Sequence, residues 1–207
     1  PYVIYPLLVA GVGRLRNRRV LQREDCAPQV TVVTAAFNEA DHIEATVRNK
    51  LGQDYPADKL DVIVVSDASV DGTDEIVTRL VHEGAQVRLL RQEPRQGKTS
   101  GLNLAIPHAS GEIIVFADAN SIYRRDALRM LMRNFADPAV GMVQAPWGHL
   151  NRRRSPLTAA QAVMLDAHFR IEHAARMHAG LFFNFNGSAG IWRRACIEDA
   201  GGWSSDT

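Results

Sequence analysis

Short apolar runs rich in β-branched residues alternate with amphipathic stretches from Gln29 onward, and no other feature of the sequence restricts the fold as strongly. Each run has the length of a buried strand, and each intervening stretch repeats apolar residues at helical spacing. The predicted strands are 30–36, 60–66, 87–90, 112–117 and 141–145. The predicted helices are 38–51, 71–81, 99–106, 126–135 and 158–178. Strands that alternate with helices pair in parallel, so we predict an α/β fold with a mostly parallel sheet and helices on both faces.

The composition is that of an ordinary globular domain: 46% of the 207 residues are hydrophobic and 23% are charged. The formal net charge of +1 provides no overall field that would attract a nucleic acid, so we expect no nucleic-acid partner. Cys26 and Cys196 are far apart and lack metal-ligand spacing, which indicates a reducing, cytosolic compartment.

An apolar segment, 1–13, opens the chain and is followed at once by four arginines between Arg14 and Arg19. The segment is shorter than the ~20 residues that span a bilayer. An apolar run followed by arginines is nevertheless typical of the cytoplasmic end of a transmembrane helix. We therefore predict that residues 1–20 are the end of a transmembrane or membrane-proximal helix, which places the protein at the cytoplasmic face of a membrane, the bacterial inner membrane. A buried N-terminal helix is the alternative.

The last predicted helix, 158–178, follows a second basic run, Arg152 to Arg154, which is either a solvated face or a binding surface. Its apolar stripe comprises Ala160, Val163, Met164, Ala167, Ile171, Ala174 and Ala175. His168, His173 and His178 lie five residues apart, a spacing that an α-helix does not bring onto one face for metal binding.

Polar or acidic side chains stand directly after the predicted strands. Parallel sheets bind ligands in the crevice at the carboxyl ends of their strands, so these side chains are candidates for one site. They are Asn38, Glu39, Asp67, Ser69, Lys98, Asp118 and Asn120. A structural role is the alternative for several of them: Asn38 and Asp71 can cap helices, and Asp67 and Asp118 can be turn residues.

Three of these candidates suit a nucleotide diphosphate and its metal ion. Asp118 and Asn120 are separated by one residue, so both oxygen-bearing side chains can face one hard cation. Mg²⁺ prefers a few protein oxygens together with phosphate oxygens. The ammonium group of Lys98 can neutralise a phosphate.

The ordered set of motifs resembles glycosyltransferase family two, the group that contains cellulose, chitin and hyaluronan synthases. Four motifs match in the family's order: 34–39, 65–73, 96–103 and 116–120. The segments 144–151, 183–190 and 201–203 are similar to the cellulose-synthase-like mannan synthase branch. Each motif alone is weak, whereas the ordered set is specific.

The resemblance implies a GT-A type, Rossmann-like fold over residues 28–207, incomplete at the C-terminus, and an inverting transfer of a hexose that forms a β-glycosidic bond. It implies three partners, namely a UDP- or GDP-hexose, a glycan acceptor and a membrane, and it implies Mg²⁺ or Mn²⁺ as cofactor. The nucleotide-binding residues it implies are Ala36, Asn38, Glu39, Asp67, Ser69, Lys98 and Asp118. The metal ligands it implies are Asp118 and Asn120, and the sugar or acceptor residues are His149, Asn186, Gly187 and Ser188.

Two departures from the family pattern affect the expected activity. Asn120 stands where the family has a second carboxylate, which removes one charge from the metal site. The family places its general base in a Thr-Glu-Asp motif shortly after the segment 201–203, so we expect the base downstream of Thr207 and assign no catalytic residue here. We expect this chain alone to be inactive, because losing a general base costs about a hundredfold or more.

Two other functions are compatible with part of the pattern. A nucleotide-sugar-binding module without catalysis would explain Asn120. A sugar nucleotidyltransferase would share the sheet and the metal, but it should carry a glycine-rich loop after the first strand, and residues 36–39 contain no glycine.

Overall fold

The computed structural model describes residues 4–16 and 19–204, which divide into two compact units. The first, the sheet unit, consists of Gln22–Gln144 and the described part of Gly187–Thr207. The second, the helical unit, consists of Ala145–Asn186 and the described part of Pro1–Leu21. The domain boundaries inferred from the sequence stay a prediction.

The sheet unit contains one six-stranded sheet in the order β3-β2-β1-β4-β6-β5. The strands are β1 (Val30–Ala36), β2 (Leu60–Asp67), β3 (Val87–Gln92), β4 (Ile113–Asp118), β5 (Met142–Gln144) and β6 (Gly190–Arg193). The first four strands pair in parallel, whereas β6 is antiparallel to both β4 and β5. The mostly parallel sheet predicted from the sequence is therefore confirmed. Strand β6 was not predicted, because its place in the sheet depends on antiparallel pairing with β4, which lies far earlier in the chain.

Eight α-helices are present in the described residues. They are α1 (Ile4–Arg16), α2 (Ile43–Leu51), α3 (Thr73–His82), α4 (Lys98–Ala105), α5 (Ala127–Met132), α6 (Pro156–Ala167), α7 (Ala174–Ala179) and α8 (Arg194–Asp199). Short 3₁₀ segments occupy Ala57–Lys59, Ile106–His108 and Arg133–Ala136. Consecutive residues of β1, β2 and β4 are buried, and because successive side chains point to opposite faces, both faces of the sheet are covered.

The topology places a ligand crevice beside β1. The chain proceeds from β1 outward to β2 and β3 and then returns to place β4 on the other side of β1. Such a reversal of strand order leaves an open crevice at the carboxyl ends of the two strands that flank it. Ala35 of β1 is paired with Asp118 of β4, and Ala36 with Ser66 of β2, so the three strands end at the same edge.

The first turn after β1 differs from the sequence prediction. Helix α2 begins at Ile43 instead of Asn38, and Asn38 adopts a left-handed backbone conformation with φ of 53°. Its side-chain oxygen accepts a hydrogen bond from the N–H of Val70 at 3.0 Å, so Asn38 connects two loops and does not cap the helix. Asp71 is not the cap of α3 either, because the N-cap residue is Gly72; the Asp71 carboxylate instead accepts hydrogen bonds from the N–H of Thr73 at 3.1 Å and from the N–H of Ala40 at 2.9 Å.

The helical unit is built on a close contact between α1 and α7. Gly13 of α1 lies directly against Ala175, and a Cβ atom at Gly13 would be 2.7 Å from the Ala175 carbonyl oxygen. Helices α6 and α7 are joined by a π-helical segment, His168–His173. The wider π turn brings residues five apart onto one side, so the rings of His168 and His173 are 4.2 Å apart between centroids, contrary to the sequence expectation.

No helix within residues 4–16 and 19–204 combines the length and the apolar character needed to cross a bilayer. Helix α1 contains 13 residues, a length that is also found in helices at a membrane interface and in buried helices of globular proteins. The membrane-proximal assignment of residues 1–20 stays a prediction.

Candidate functional site

Asp67, the last residue of β2, is almost completely buried, with 6% of its surface exposed. Its Oδ1 accepts hydrogen bonds from Gln92 Nε2 at 2.6 Å and from the N–H of Gln96 at 2.8 Å. Its Oδ2 accepts a third from the N–H of Gly97 at 2.9 Å, and Arg95 Nε lies 3.6 Å away. Burial alone would raise the pKa of Asp67, but these donors favour the carboxylate and lower the pKa overall.

The contacts of Asp67 close the loop between β3 and α4, residues 93–97, onto the end of β2. Lys98 follows this loop as the first residue of α4. The position of the Lys98 ammonium group therefore depends on a carboxylate that is 31 positions earlier in the sequence. Sequence reasoning named both residues, but it assigned Asp67 a direct contact with the nucleoside and did not foresee that its oxygens hold the loop.

Lys98 connects the third and fourth strand ends. Its Nζ pairs with the carboxylate of Asp118 and donates a hydrogen bond to the carbonyl oxygen of Gly187 at 2.7 Å. The side chains of Lys98 and Asp118 are 41% and 42% exposed, so the pair is open to a ligand from solvent. Gly187 has a φ of 76°, a left-handed conformation that favours glycine. Three residues from separate motifs thus meet at the carboxyl edge of the sheet.

The loops after β1 and β2 are held together by hydrogen bonds. The N–H of Asn38 donates to Ser69 Oγ at 3.1 Å, and the N–H of Glu39 donates to Thr73 Oγ1 at 2.9 Å. Ser69 is buried, and Ala36 is 2% exposed at the end of β1. Of the sequence-predicted residues, Ala36, Asn38 and Ser69 therefore have identifiable structural roles beside the crevice.

A cation–π pair lies at the rim of the crevice. The guanidinium group of Arg95 is 3.7 Å from the centroid of the Phe37 ring, which joins the 93–97 loop to the loop after β1. Phe37 is 37% exposed. Sequence reasoning selected neither residue as a site residue. The sequence feature that could have identified them is their position, since each lies in a loop at the end of a strand.

A buried lysine supports the turn that carries Asp118. Lys50 of α2 is fully buried, and its Nζ donates a hydrogen bond to the carbonyl oxygen of Ser121 at 2.6 Å and lies 3.5 Å from the centroid of the Tyr123 ring. Thr46 Oγ1 donates to the carbonyl oxygen of Ala119 at 2.6 Å. Sequence reasoning missed Lys50. The signal was a lysine on the apolar face of α2, three residues after Val47.

The stability of the protein should depend on pH through Lys50. Burial lowers the pKa of Lys50 to about 7, and the Asp118 carboxylate acts in the opposite direction. The unfolded chain has the ordinary pKa of about 10.4, so between these values it holds a proton that folded Lys50 releases. The free energy of unfolding should therefore rise with pH across this window, by up to about 1.4 kcal/mol per pH unit. When the free energy of unfolding from urea denaturation is plotted against pH, the slope should be smaller for Lys50→Met than for the control Lys59→Met. Equal slopes would contradict the prediction.

Asp118 and Asn120 fit a divalent metal ion as part of a larger ligand set. Both are at the turn after β4, Asn120 is exposed, and both offer hard oxygen ligands. In the described part of the chain, no three His, Cys, Asp or Glu side chains converge in a way that could hold a metal. One carboxylate and one amide oxygen suit Mg²⁺ or Mn²⁺ where phosphate oxygens complete the coordination. The same carboxylate is paired with Lys98, so a metal would compete with that lysine.

The predicted sugar and acceptor residues are divided between the two units. Gly187 and Ser188 lie in the sheet unit, where Gln144 Nε2 donates to the Ser188 carbonyl oxygen at 2.9 Å. His149 and Asn186 lie in the helical unit. His149 packs edge to face with Trp147, with 5.8 Å between ring centroids. A sugar-binding role for these four residues stays a prediction.

Comparisons with known proteins identify the family of the chain. The sequence profile of Glycosyl transferase family 2 matches residues 31–198. The chain belongs to glycosyl transferase family 2. Family members with named activities include glucomannan 4-beta-mannosyltransferase 2 from Arabidopsis thaliana, 32% identical over 87% of this chain and 35% of its own length. Another, glucomannan 4-beta-mannosyltransferase 1 from Cyamopsis tetragonoloba, is 28% identical over 92% of this chain and 38% of its own length.

Solved structures of glycosyltransferases share the fold. The mannosyltransferase PcManGT from Pyrobaculum calidifontis, in complex with GDP-Man and Mn²⁺, is 31% identical with a TM-score of 0.77, over 98% of this chain and 56% of its own. TarS 1-349 from S. aureus, in complex with UDP, is 18% identical with a TM-score of 0.65, over 86% of this chain and 51% of its own. These similarities confirm the expected GT-A type fold. The chain spans about a third of the length of the curated relatives it matches.

Proposed function

We propose that this chain is the donor-binding part of an inverting hexosyltransferase that transfers a hexose from a nucleotide-diphosphate sugar to a hydroxyl group of a glycan, forming a β-glycosidic bond. The observation that carries the proposal is the meeting of Lys98, Asp118 and Gly187 at the sheet crevice, in a member of glycosyl transferase family 2. GDP-mannose is the donor we propose, because the structure of the 31% identical Pyrobaculum calidifontis enzyme contains GDP-Man and Mn²⁺.

Each strand end contributes one function in this proposal. The exposed Phe37–Arg95 pair offers a flat face against which a nucleobase can stack, beside Asn38 and Glu39. Asp67 positions the 93–97 loop. Lys98 leaves Asp118 for the donor diphosphate and neutralises one of its charges. The 187–188 segment would contact the sugar of the donor in this proposal, which is supported by the hydrogen bond from Lys98 to the carbonyl oxygen of Gly187.

Asp118 and Asn120 would hold the divalent cation, which supplies positive charge to the leaving diphosphate when it is bound. The Lys98 ammonium group provides a second positive charge in the same crevice. The proton of the attacking hydroxyl group needs a general base. We assign this role to none of the described residues.

A thermal-shift experiment tests donor binding. A ligand that binds only the folded protein stabilises it by about 2.7 kcal/mol at a hundredfold excess over its dissociation constant. We expect GDP and GDP-mannose with Mn²⁺ to raise the melting temperature. The rise should be smaller when UDP replaces GDP or when EDTA replaces Mn²⁺. Lys98→Met should weaken binding about tenfold or more through loss of a charge-assisted contact. The matched control is Lys59→Met, at a half-buried lysine whose Nζ donates a hydrogen bond to the carbonyl oxygen of Ala27 at 2.9 Å. A folded protein that no nucleotide stabilises would contradict the proposal.

A non-catalytic nucleotide-sugar-binding module is the second candidate, since Asn120 replaces a carboxylate and Lys98 already pairs with Asp118. The two candidates differ in the full-length protein. Transfer of mannose from GDP-mannose to a glycan, detected by mass spectrometry, supports the enzyme. Donor binding without any transfer in that protein supports the module.

The setting we propose for the reaction is the cytoplasmic face of a membrane, the bacterial inner membrane. Its support is the apolar segment at the N-terminus followed by arginines, of which the described part forms α1.

A further inference from the structure

The charges of the chain are distributed very unequally between its two units. Residues 1–21 and 145–186 contain nine arginines, no lysine and two acidic residues, a formal charge of +7. The remaining residues must then carry −6, because the whole chain has a formal charge of +1. The near-neutral total therefore conceals a strongly basic helical unit. A basic field of this size attracts polyanions and anionic surfaces.

The same unit exposes most of the large apolar side chains. Of the nineteen that are exposed in residues 4–16 and 19–204, fourteen belong to the helical unit, which is under a third of the chain. Examples are Leu15 at 89%, Leu150 at 90% and Phe182 at 95%. Soluble monomers rarely expose apolar side chains at such density unless the surface binds something.

Helix α6 carries the clearest apolar surface. Much of the apolar stripe that the sequence suggested is exposed, since Val163 is 58% exposed and Met164 74%, and Leu157, which lies outside that stripe, is 68% exposed. We call the exposed apolar residues on this side of α6 and of the π-helical segment that follows it the α6 face. They are Leu157, Ala160, Val163, Met164, Ala167 and Ile171. Leu157, Ala160 and Met164 are spaced by three and four residues, so they lie along one side of the helix.

The basic run stands at the N-terminal end of this helix. Arg152, Arg153 and Arg154, together with Ser155, Pro156 and Ala159, line a concave cavity of about 700 Å³. Arg152 is paired with Asp166 at 2.7 Å. Within the described ranges, Arg153 and Arg154 form no ion pair and both are exposed. Two free guanidinium groups thus stand beside a helix that presents leucine and methionine to solvent.

We propose that the α6 face and the Arg152–Arg154 cavity form a surface that binds a bilayer rich in anionic lipids, with the α6 face in the interfacial region and the arginines on the lipid phosphates. Amphipathic helices that bind membrane interfaces combine these two features, an apolar stripe and adjacent arginines. Basic residues close to an anionic membrane each strengthen binding severalfold. The proposal makes the membrane setting stated above specific and is independent of donor binding.

The combination favours a lipid surface over a nucleic acid. A nucleic-acid site would use the arginines, but exposed Leu157 and Met164 gain nothing from a phosphate backbone. A bilayer offers both an anionic layer and, directly beneath it, an apolar layer. The two kinds of side chain are therefore explained together by a single partner.

Vesicle flotation with the whole chain tests the proposal. The probes are phosphatidylcholine vesicles with and without phosphatidylglycerol, and the variants are Arg153→Ser/Arg154→Ser and Leu157→Ser/Met164→Ser. We expect binding to the anionic vesicles, weakened about thirtyfold by the arginine changes and at least about tenfold by the apolar changes. The matched control, Arg124→Ser/Arg129→Ser, removes the same charge from the sheet unit and should bind as the unchanged chain does.

Three results would overturn the proposal: equal binding with and without phosphatidylglycerol, binding that neither pair of changes weakens, or binding to duplex DNA that outcompetes the anionic vesicles. All variants are first checked for folding by circular dichroism and thermal melting, and separately for stabilisation by GDP with Mn²⁺. A chain that floats with vesicles but binds no nucleotide contradicts only the transferase proposal. A chain that binds nucleotide but does not bind the vesicles contradicts only the lipid proposal.

Discussion

Replacing Asp118 with alanine is expected to abolish the metal-dependent part of nucleotide binding. Asp118 is the only carboxylate of the predicted Asp118–Asn120 metal pair. Changing a residue that only hydrogen-bonds to a metal ligand already costs about 10- to 100-fold in affinity, so the loss of the charged ligand itself should cost at least about a hundredfold. The variant should still fold. The ion pair between Asp118 and Lys98 that it loses has two solvent-exposed side chains, and such pairs contribute about 0 to 1 kcal/mol to the free energy of unfolding.

The measurement is calorimetric titration of GDP in the presence of Mn²⁺ and in EDTA. Asn120→Asp is the matched variant, because it adds the carboxylate that Asn120 replaces and should tighten Mn²⁺-dependent binding. Opposite effects of the changes at Asp118 and Asn120 would show that both side chains bind the cation. If Asp118→Ala binds GDP and Mn²⁺ as the unchanged chain does, Asp118 is not a metal ligand, and the pairing with Lys98 is its role.

Local sequence patterns predicted the sheet and the positions of its strand ends. Strands β1, β2 and β4 are buried on consecutive residues, and such strands appear in a sequence as uninterrupted apolar runs. Asp67 and Asp118 could be placed because each directly follows such a run. Strand β6 could not be predicted, since its position depends on antiparallel pairing with β4, far earlier in the chain.

Contacts between distant segments account for the rest of what the sequence did not reveal. The hydrogen bonds of Asp67 to Gln92 and Gly97 cross 25 and 30 residues, and no periodic pattern encodes them. The sequence also did not indicate that the α6 face is exposed to solvent. A stripe such as Val163 and Met164 has the same spacing whether it packs on protein or remains exposed, so hydrophobic periodicity indicates a helix but not its partner.

The second large effect is expected for Asp67→Asn, which keeps the shape of the side chain and removes its charge. An amide has one acceptor oxygen, so it cannot accept from Gln92, Gln96 and Gly97 as the two carboxylate oxygens do. A buried N–H left without its acceptor costs about 1 to 3 kcal/mol, so we expect a loss of that order in the free energy of unfolding. The 93–97 loop should loosen, and GDP should bind at least about tenfold more weakly because Lys98 is no longer fixed.

The pH dependence separates this effect from a general loss of packing. Because the pKa of Asp67 is lowered on folding, its charge contributes stability above the unfolded pKa of about 3.9, and that contribution is lost as pH falls through the lower folded value. In urea denaturation, the free energy of unfolding should therefore be lower for Asp67→Asn than for the unchanged chain at neutral pH, and this difference should become smaller in acid. Asp126→Asn, which breaks the exposed pair with Arg124, should change stability by less than about 1 kcal/mol. A gap that stays constant into acid would mean that the Asp67 charge does not hold the loop.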